Sequence, residues 1–128
     1  MIEIKPVYTT EAIATGAGRN GHVQSADGLV SEDLAIPVAM GGSGKGTNPE
    51  QLFAAGYAAC FHSALQMVAR QAKKSLGDSS VGARVSIGQA GEGFGLAGVL
   101  EVVIPARPRD EAQELAAPAP QECPNAQA

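Results

Sequence analysis

Thr47-Asn48-Pro49-Glu50-Gln51-Leu52-Phe53-Ala54-Ala55-Gly56-Tyr57-Ala58-Ala59-Cys60-Phe61 is the stretch from which the fold is read. Asn48 suits an N-cap and Pro49 the first helical position, where the missing N–H costs nothing and φ is already helical. No breaker follows until Gly77, so one long helix is predicted. Phe53, Tyr57, Cys60, Ala64, Met67, Val68 and Gln71 recur at helical spacing and mark one nearly unbroken apolar stripe, with Cys60 on it. Cysteine on such a stripe reads first as a small core hydrophobe, since free thiols are among the most buried side chains and most are inert. Its surroundings leave a second reading open. Phe61 and His62 flank it, and the flexible segment Gly41-Gly42-Ser43-Gly44-Lys45-Gly46 before the helix could border a pocket.

The 128 residues predict one domain, spanning 1–128, at a size where small α+β proteins gain by pairing. A net charge of −4, with nine scattered Lys and Arg, offers no basic face for nucleic acid. Met1-Ile2-Glu3-Ile4-Lys5 has neither a charged leader nor an apolar one, and no apolar run is expected to reach membrane-span length, so a cytoplasmic protein is predicted. Cys60 and Cys123 fit no CxxC or zinc spacing. In a reducing compartment a bond between them would be transient and catalytic rather than static.

Residues 2–36 read as a β meander. Val7 to Thr15 is rich in β-branched residues, Gly16 to Gly21 supplies a turn ending in Asn20-Gly21, and His22 to Ser25 returns. Asp27-Gly28 turns again, and a third strand from Leu29 to Ile36 stops at Pro37. His22 and His62 lack the spacing of metal ligands and are taken as structural or solvent-facing. Beyond the helix, Lys73-Lys74 complement its C-terminal dipole and Gly77 suits its C′ position. Val81 to Gln89 alternates as a strand, Gly91 to Gly95 turns, and Leu96 to Ile104 returns to Pro105. Arg109 to Ala117 forms a short second helix, which Pro118 and Pro120 break.

The run Gly42-Ser43-Gly44-Lys45-Gly46-Thr47 resembles the end of a phosphate-binding loop, but its context does not. Such a loop needs a glycine four residues ahead of its Gly-Lys pair, where Ala39 stands, and its helix begins at the lysine, whereas Asn48-Pro49 marks a later start. Nucleotide binding is set aside.

From Gly46 to Tyr57 and on through Ala59-Cys60-Phe61, the central stretch resembles the organic hydroperoxide resistance proteins of the OsmC superfamily. So do the turn Gly18-Arg19-Asn20-Gly21, the hairpin Gly88 to Leu96, and Cys123-Pro124. The resemblance covers roughly residues 7–115; the tail 117–128 is atypical, because the prolines interrupt the helix and Asn125-Ala126-Gln127-Ala128 stands where the family has a strand. It implies an OsmC-like α+β fold: an N-terminal β meander, a long central helix carrying the reactive cysteine, a β hairpin, a second shorter helix, and an intertwined homodimer. It also implies a thiol peroxidase acting on organic hydroperoxides. Cys60 attacks and becomes a sulfenic acid, Cys123 resolves it to an intramolecular disulfide, and dihydrolipoyl thiols re-reduce the pair. No metal or bound cofactor is required.

Only a thiolate attacks a peroxide O–O bond, so the site needs a cation near the sulfur. The helix does not supply one, because Cys60 lies about ten residues inside and the terminal dipole fades within the first turn. Arg19, the arginine that the resemblance nominates, has a permanent charge and a planar fork that can bond a sulfur and a peroxide oxygen together. Glu50 can hold that fork through a bidentate pair. Phe53, Phe61, Met67 and Phe94 are candidate walls for an alkyl chain, worth about 25 cal/mol per Å2 buried. A hydroperoxide sensor or lipid-binding relative that keeps Cys60 without turnover is the alternative. Glu50 and Cys60 are about 15 Å apart along one helix and about 80° apart around it. Either the helix breaks near Gly56, or the Arg19–Glu50 pair that serves Cys60 comes from a second subunit.

Overall fold

The computed structural model describes residues 3–127; what the sequence predicts for Met1, Ile2 and Ala128 lies outside them. The chain divides into two compact units, one up to Pro49 and one from Glu50 onward. In the first, strands β1 (Ala12–Thr15), β2 (His22–Ser25) and β3 (Ser31–Asp33) form an antiparallel meander in that order. The strand expected over Val7 to Thr15 is shorter than predicted. β2 offers only four residues before the Asp27-Gly28 turn, and β1 pairs with those four alone, from Ala12 opposite Ser25 to Thr15 opposite His22. The Gly18–Asn20 turn is a single 3-10 turn, and Asn20 Oδ1 accepts the Ile36 N–H at 3.1 Å. His22 is structural, as expected, with Nδ1 2.8 Å from Asp33 Oδ1 and Nε2 3.1 Å from Ser31 Oγ.

The glycine loop is built for close packing. A Cβ on Gly42 would lie 2.1 Å from the Ile36 carbonyl oxygen, and one on Gly46 would lie 2.7 Å from the Asp33 oxygen. The loop folds back on the chain before it, where the Ala35 N–H donates to Thr47 O at 2.9 Å and the Thr47 N–H to Asp33 O at 3.0 Å. These glycines serve backbone contact.

Helix α1 spans Pro49–Gln71, 23 residues without interruption, and starts where Asn48-Pro49 predicts. It ends earlier than Gly77, and the left-handed C′ residue is Lys73, with φ 57°. Lys74 N–H donates to Ala69 O at 2.8 Å and Lys73 N–H to Arg70 O at 3.0 Å, the paired bonds of a Schellman closure. Those two bonds satisfy end carbonyls and hold a residue that pays for lacking glycine's freedom.

A second correction concerns the helix face. The buried residues of α1 are Phe61, Ala64, Leu65 and Ala69. This row is turned by about 100° from the predicted stripe and shares only Ala64 with it. The predicted stripe flanks this row: Tyr57, Cys60 and Val68 are partly buried and pack against the same core, while Phe53 is exposed and no residue of α1 before Phe61 is buried. By length and composition alone, α1 is apolar enough to cross a membrane, contrary to the sequence expectation.

Strands β4 (Ser80–Ala90) and β5 (Gly93–Val103) make a long antiparallel hairpin. Val81, Ala83, Val85 and Ile87 turn toward the interior, while Gly82, Arg84 and Ser86 face out, as a half-buried strand requires. The predicted five-residue turn shrinks to Gly91-Glu92, with Gly91 at φ 62° in the first position, where a II′ turn takes glycine. Helix α2 (Arg109–Ala116) follows Pro108 as predicted, with Asp110 and Glu111 in its first turn. Glu111 accepts from Lys74 Nζ at 2.7 Å and Arg107 Nη1 at 3.3 Å, tying α2 to the end of α1. Phe61, Ala64, Leu65, Ala69, Leu76, Ile104, Leu115, Ala119 and Cys123 form the core of this unit.

Candidate active site

After α2 the prolines break the helix, and they also restart it. Helix α3 (Ala119–Glu122) is preceded by Pro118 and has Pro120 at its second position; α4 (Pro124–Gln127) begins on Pro124. A proline in the first turn removes an N–H that has no intrahelical partner anyway, so each single-turn helix tolerates its own. Among the described residues no strand follows β5. The tail instead lays its small residues on the core: Ala119 and Cys123, four apart, both have no exposed surface. The Cys123 N–H donates to Pro120 O at 3.4 Å, and the Ala126 N–H to Cys123 O at 3.1 Å.

This packing brings together two thiols from distant parts of the sequence. Cys123 Sγ lies 3.0 Å from Cys60 Sγ and donates to it. Neither sulfur is in a disulfide. Cys60, packed against the core from α1, is half-buried, whereas Cys123 is fully buried. Burial pushes the Cys123 thiol above its usual range, and the hydrogen bond to Cys60 pushes it further.

Phe53 and Tyr57, one turn apart on α1, meet edge to face at 5.7 Å between centroids, and Cys60 follows Tyr57 by three residues. Phe53 is 42% exposed, Phe94 in β5 is 72% exposed, and Met67 is half-buried. Phe61, 4% exposed, belongs to the core beneath the helix. Sequence reasoning did not nominate Tyr57 or Gly98 for the site. A Cβ on Gly98 would lie 3.7 Å from Tyr57 Cε2, so β5 runs close over that ring. An isolated glycine inside a strand was the available signal.

Arg19 is half-buried in its 3-10 turn in the first unit, and Glu50 is half-buried in the first turn of α1. Because α1 continues unbroken through Gly56, Glu50 and Cys60 keep the helical separation of about 15 Å along the axis and about 80° around it. His62, beside the thiol in sequence, is bonded through Nε2 to Ser79 Oγ at 2.9 Å. Among the described residues no three His, Cys, Asp or Glu side chains gather to hold a metal ion.

A family model described as OsmC-like protein matches residues 42–128. An organic hydroperoxide resistance protein of Xanthomonas axonopodis pv. citri is 47% identical over 122 residues, which are 94% of this chain and 85% of that protein. The crystal structure of an organic hydroperoxide resistance protein OsmC from Legionella pneumophila superposes with a TM-score of 0.90 at 49% identity, covering 96% of this chain and 90% of that one. A Vibrio cholerae protein described as an organic hydroperoxide resistance protein, solved with captopril in one of its active sites, gives a TM-score of 0.90 at 45% identity, covering 98% of this chain and 87% of that one.

Proposed function

The chain belongs to the OsmC-like family, among its organic hydroperoxide resistance proteins, and from that premise we propose that it is a thiol peroxidase that reduces organic hydroperoxides to alcohols. The observation that carries this reading is the thiol pair itself, one sulfur half-exposed and the other fully buried 3.0 Å behind it. The Cys60 thiolate attacks the O–O bond of the hydroperoxide; the distal alkoxide leaves, takes a proton and departs as the alcohol. Cys60 is then a sulfenic acid. The Cys123 thiol gives up its proton and attacks that sulfur, the hydroxide that leaves takes a proton to become water, and the disulfide forms. A disulfide spans about 2.05 Å, so the sulfurs need to close by about 1 Å. So short a closure favours resolution of the sulfenic acid over a second oxidation.

The proposed reductant is an external dithiol of the dihydrolipoyl type, whose second thiol completes the exchange. Captopril in an active site of the Vibrio cholerae relative supports access for a small thiol. Phe53, Met67 and Phe94, with the Phe53–Tyr57 pair, favour an alkyl or fatty-acid tail over hydrogen peroxide, which has no apolar surface to bury; Phe61, buried in the core, is left out of that wall. No resident cofactor enters these steps. The cytoplasm, where free thiols stay reduced, suits the chemistry.

Arg19 is proposed to stabilise the thiolate and the departing oxygen, with Glu50 orienting its fork. Because α1 is unbroken, the option of a kink at Gly56 is gone, and the Arg19–Glu50 pair serving Cys60 is assigned to the second subunit of a homodimer. The first half of α1 supports this assembly, since it is rich in apolar residues, Phe53 is exposed and none of its residues before Phe61 is buried. Co-refolding inactive Cys60→Ser chains with inactive Arg19→Ala chains is then expected to restore about a quarter of the parent activity, from one intact site per heterodimer. A proven heterodimer without activity would contradict the shared site. Turnover itself separates the enzyme from a sensor: many equivalents of dithiol consumed per chain are expected, whereas a sensor or binder stops at one.

A further inference from the structure

The two sulfurs of this pair differ in which side faces outward. Cys123 has no exposed surface and is part of the core cluster with Leu115 and Ala119, while Cys60 packs against that cluster from α1 and is only half-buried. We propose that the reductant's thiol always attacks the Cys60 sulfur of the disulfide, so that the mixed disulfide forms on Cys60 and Cys123 is the leaving group. The inference rests on the peroxidase reading for the reductant's identity and on geometry alone for the point of attack.

Thiol–disulfide exchange passes through three sulfurs in line. A nucleophile that attacks Cys60 approaches along the extension of the Cys123–Cys60 axis, from the half-exposed side by which a peroxide must also arrive. One that attacks Cys123 must approach along the opposite extension, out of the core. Reaching it would require lifting α3 and α4, which the packing of Ala119 and Cys123 into the core, both without exposed surface, holds down. A competing effect points the other way. The buried Cys123 thiol is held above its usual range, which makes it the poorer leaving group and by itself favours attack on Cys123. Leaving-group quality adjusts the rate of an attack that can occur; burial without any accessible surface decides whether it can. Access therefore wins.

The electrons balance as follows. The attacking thiolate forms a bond to Cys60 Sγ, the Cys60–Cys123 bond breaks, and its pair goes to Cys123 Sγ, which takes a proton. The dithiol's second thiolate then attacks its own sulfur in the mixed disulfide. Cys60 leaves as thiolate, and the dithiol departs as a cyclic disulfide. The enzyme is reduced by two electrons.

The test begins with the parent chain oxidised by diamide, so that the disulfide forms without peroxide. It is mixed with excess 2-mercaptoethanol, acid-quenched from milliseconds to seconds, alkylated and digested, and the peptides are weighed. The adduct is expected on the Cys60 peptide, with Cys123 free. Adduct on Cys123, or equal shares, overturns the proposal. Where re-closure by Cys123 outruns the quench, the single-cysteine variants decide: Cys123→Ser is expected to form a mixed disulfide with hydroxyethyl disulfide on the order of tenfold or more faster than Cys60→Ser, because reaching the buried thiol requires local opening. Equal or inverted rates overturn it. Failure here leaves the peroxidase reading standing, and a peroxide that never produces the disulfide removes that reading alone.

Discussion

From Glu50 onward, nine buried residues from Phe61 to Cys123 make a core that the unit owns, and both thiols are part of it or packed against it. Up to Pro49, the buried residues among those described are Leu34, Ala35 and Asn48, while Tyr8, Ile13, Leu29, Val38 and Met40 are exposed. The difference teaches how the chemistry is divided. The sulfurs need a fixed separation and sit in a unit that fixes it without help. The arginine proposed to activate them sits in a unit with little interior, whose order draws on hydrogen bonds, tight glycine contacts and whatever covers its apolar residues. The proposed composite site, in which the arginine of one subunit's meander serves the thiols of another's core, fits that division.

The contrast can be broken at its strongest point first. Cys60→Ser is expected to lower dithiol-dependent peroxide consumption to background, while Cys123→Ser consumes about one equivalent and then accumulates sulfinic acid on Cys60, read by mass spectrometry. Next, Leu65→Ala, at a side chain with no exposed surface, should lose about 3 kcal/mol in urea unfolding. Leu29→Ala, at a side chain 87% exposed, should stay within about 0.5 kcal/mol. Equal losses would show that the meander is as well packed as the thiol unit. Arg19→Ala should slow peroxide reduction about 100-fold, as loss of a transition-state donor does, with Arg19→Lys less affected and Glu50→Ala least. An unchanged rate of Cys60 alkylation across pH in Arg19→Ala would take the arginine out of the site.

The pH dependence sharpens the same contrast more gently. Folding holds the Cys123 thiol above its unfolded value of about 8.5, so between the unfolded and folded values the native state keeps a proton that the unfolded chain has released. This contribution to stability is complete below the unfolded value and is lost as pH rises through the folded one. The parent should therefore lose more stability than Cys123→Ser between pH 8 and pH 10 in paired denaturant titrations, and parallel curves would deny the burial. The smallest effect is local. Lys73→Gly should raise stability by about 0.5–1 kcal/mol by relieving the left-handed position at the end of α1, and a loss would mean the lysine side chain contributes more than the strain.

The start of α1, the hairpin, α2 and the break at Pro118 were legible in the sequence, because caps, alternation and proline act within a few residues. Other features depend on partners that are distant or indifferent to side chains. Lys73 took the place of a glycine because backbone bonds to Ala69 and Arg70 close the helix whatever the side chain. Gly93 and Gly95 read as turn residues, yet pair within β5, since a ladder uses only backbone groups. The centre of the core face of α1 was misread, because Phe61, Leu65 and Ala69 are the most buried residues and the predicted stripe, with Tyr57, Cys60 and Val68 packed against the core, marks only its edge. Phe61, drawn by the resemblance toward a pocket wall, lies on that core face. The return of the tail was illegible for a similar reason: alanine and cysteine at Ala119 and Cys123 carry no periodic signal, and their fit against α1 is a tertiary fact.

Everything proposed for the site turns on whether the two sulfurs 3.0 Å apart act as one redox unit. Adding one equivalent of cumene hydroperoxide to the reduced parent, without reductant, and following intact mass and free thiols on a rapid-quench time course tests this directly. The account predicts the loss of two hydrogens and of both thiols in step, with no lasting oxygen adduct and with the disulfide mapped between Cys60 and Cys123. Persistent addition of one oxygen to Cys60 while Cys123 remains titratable would contradict it.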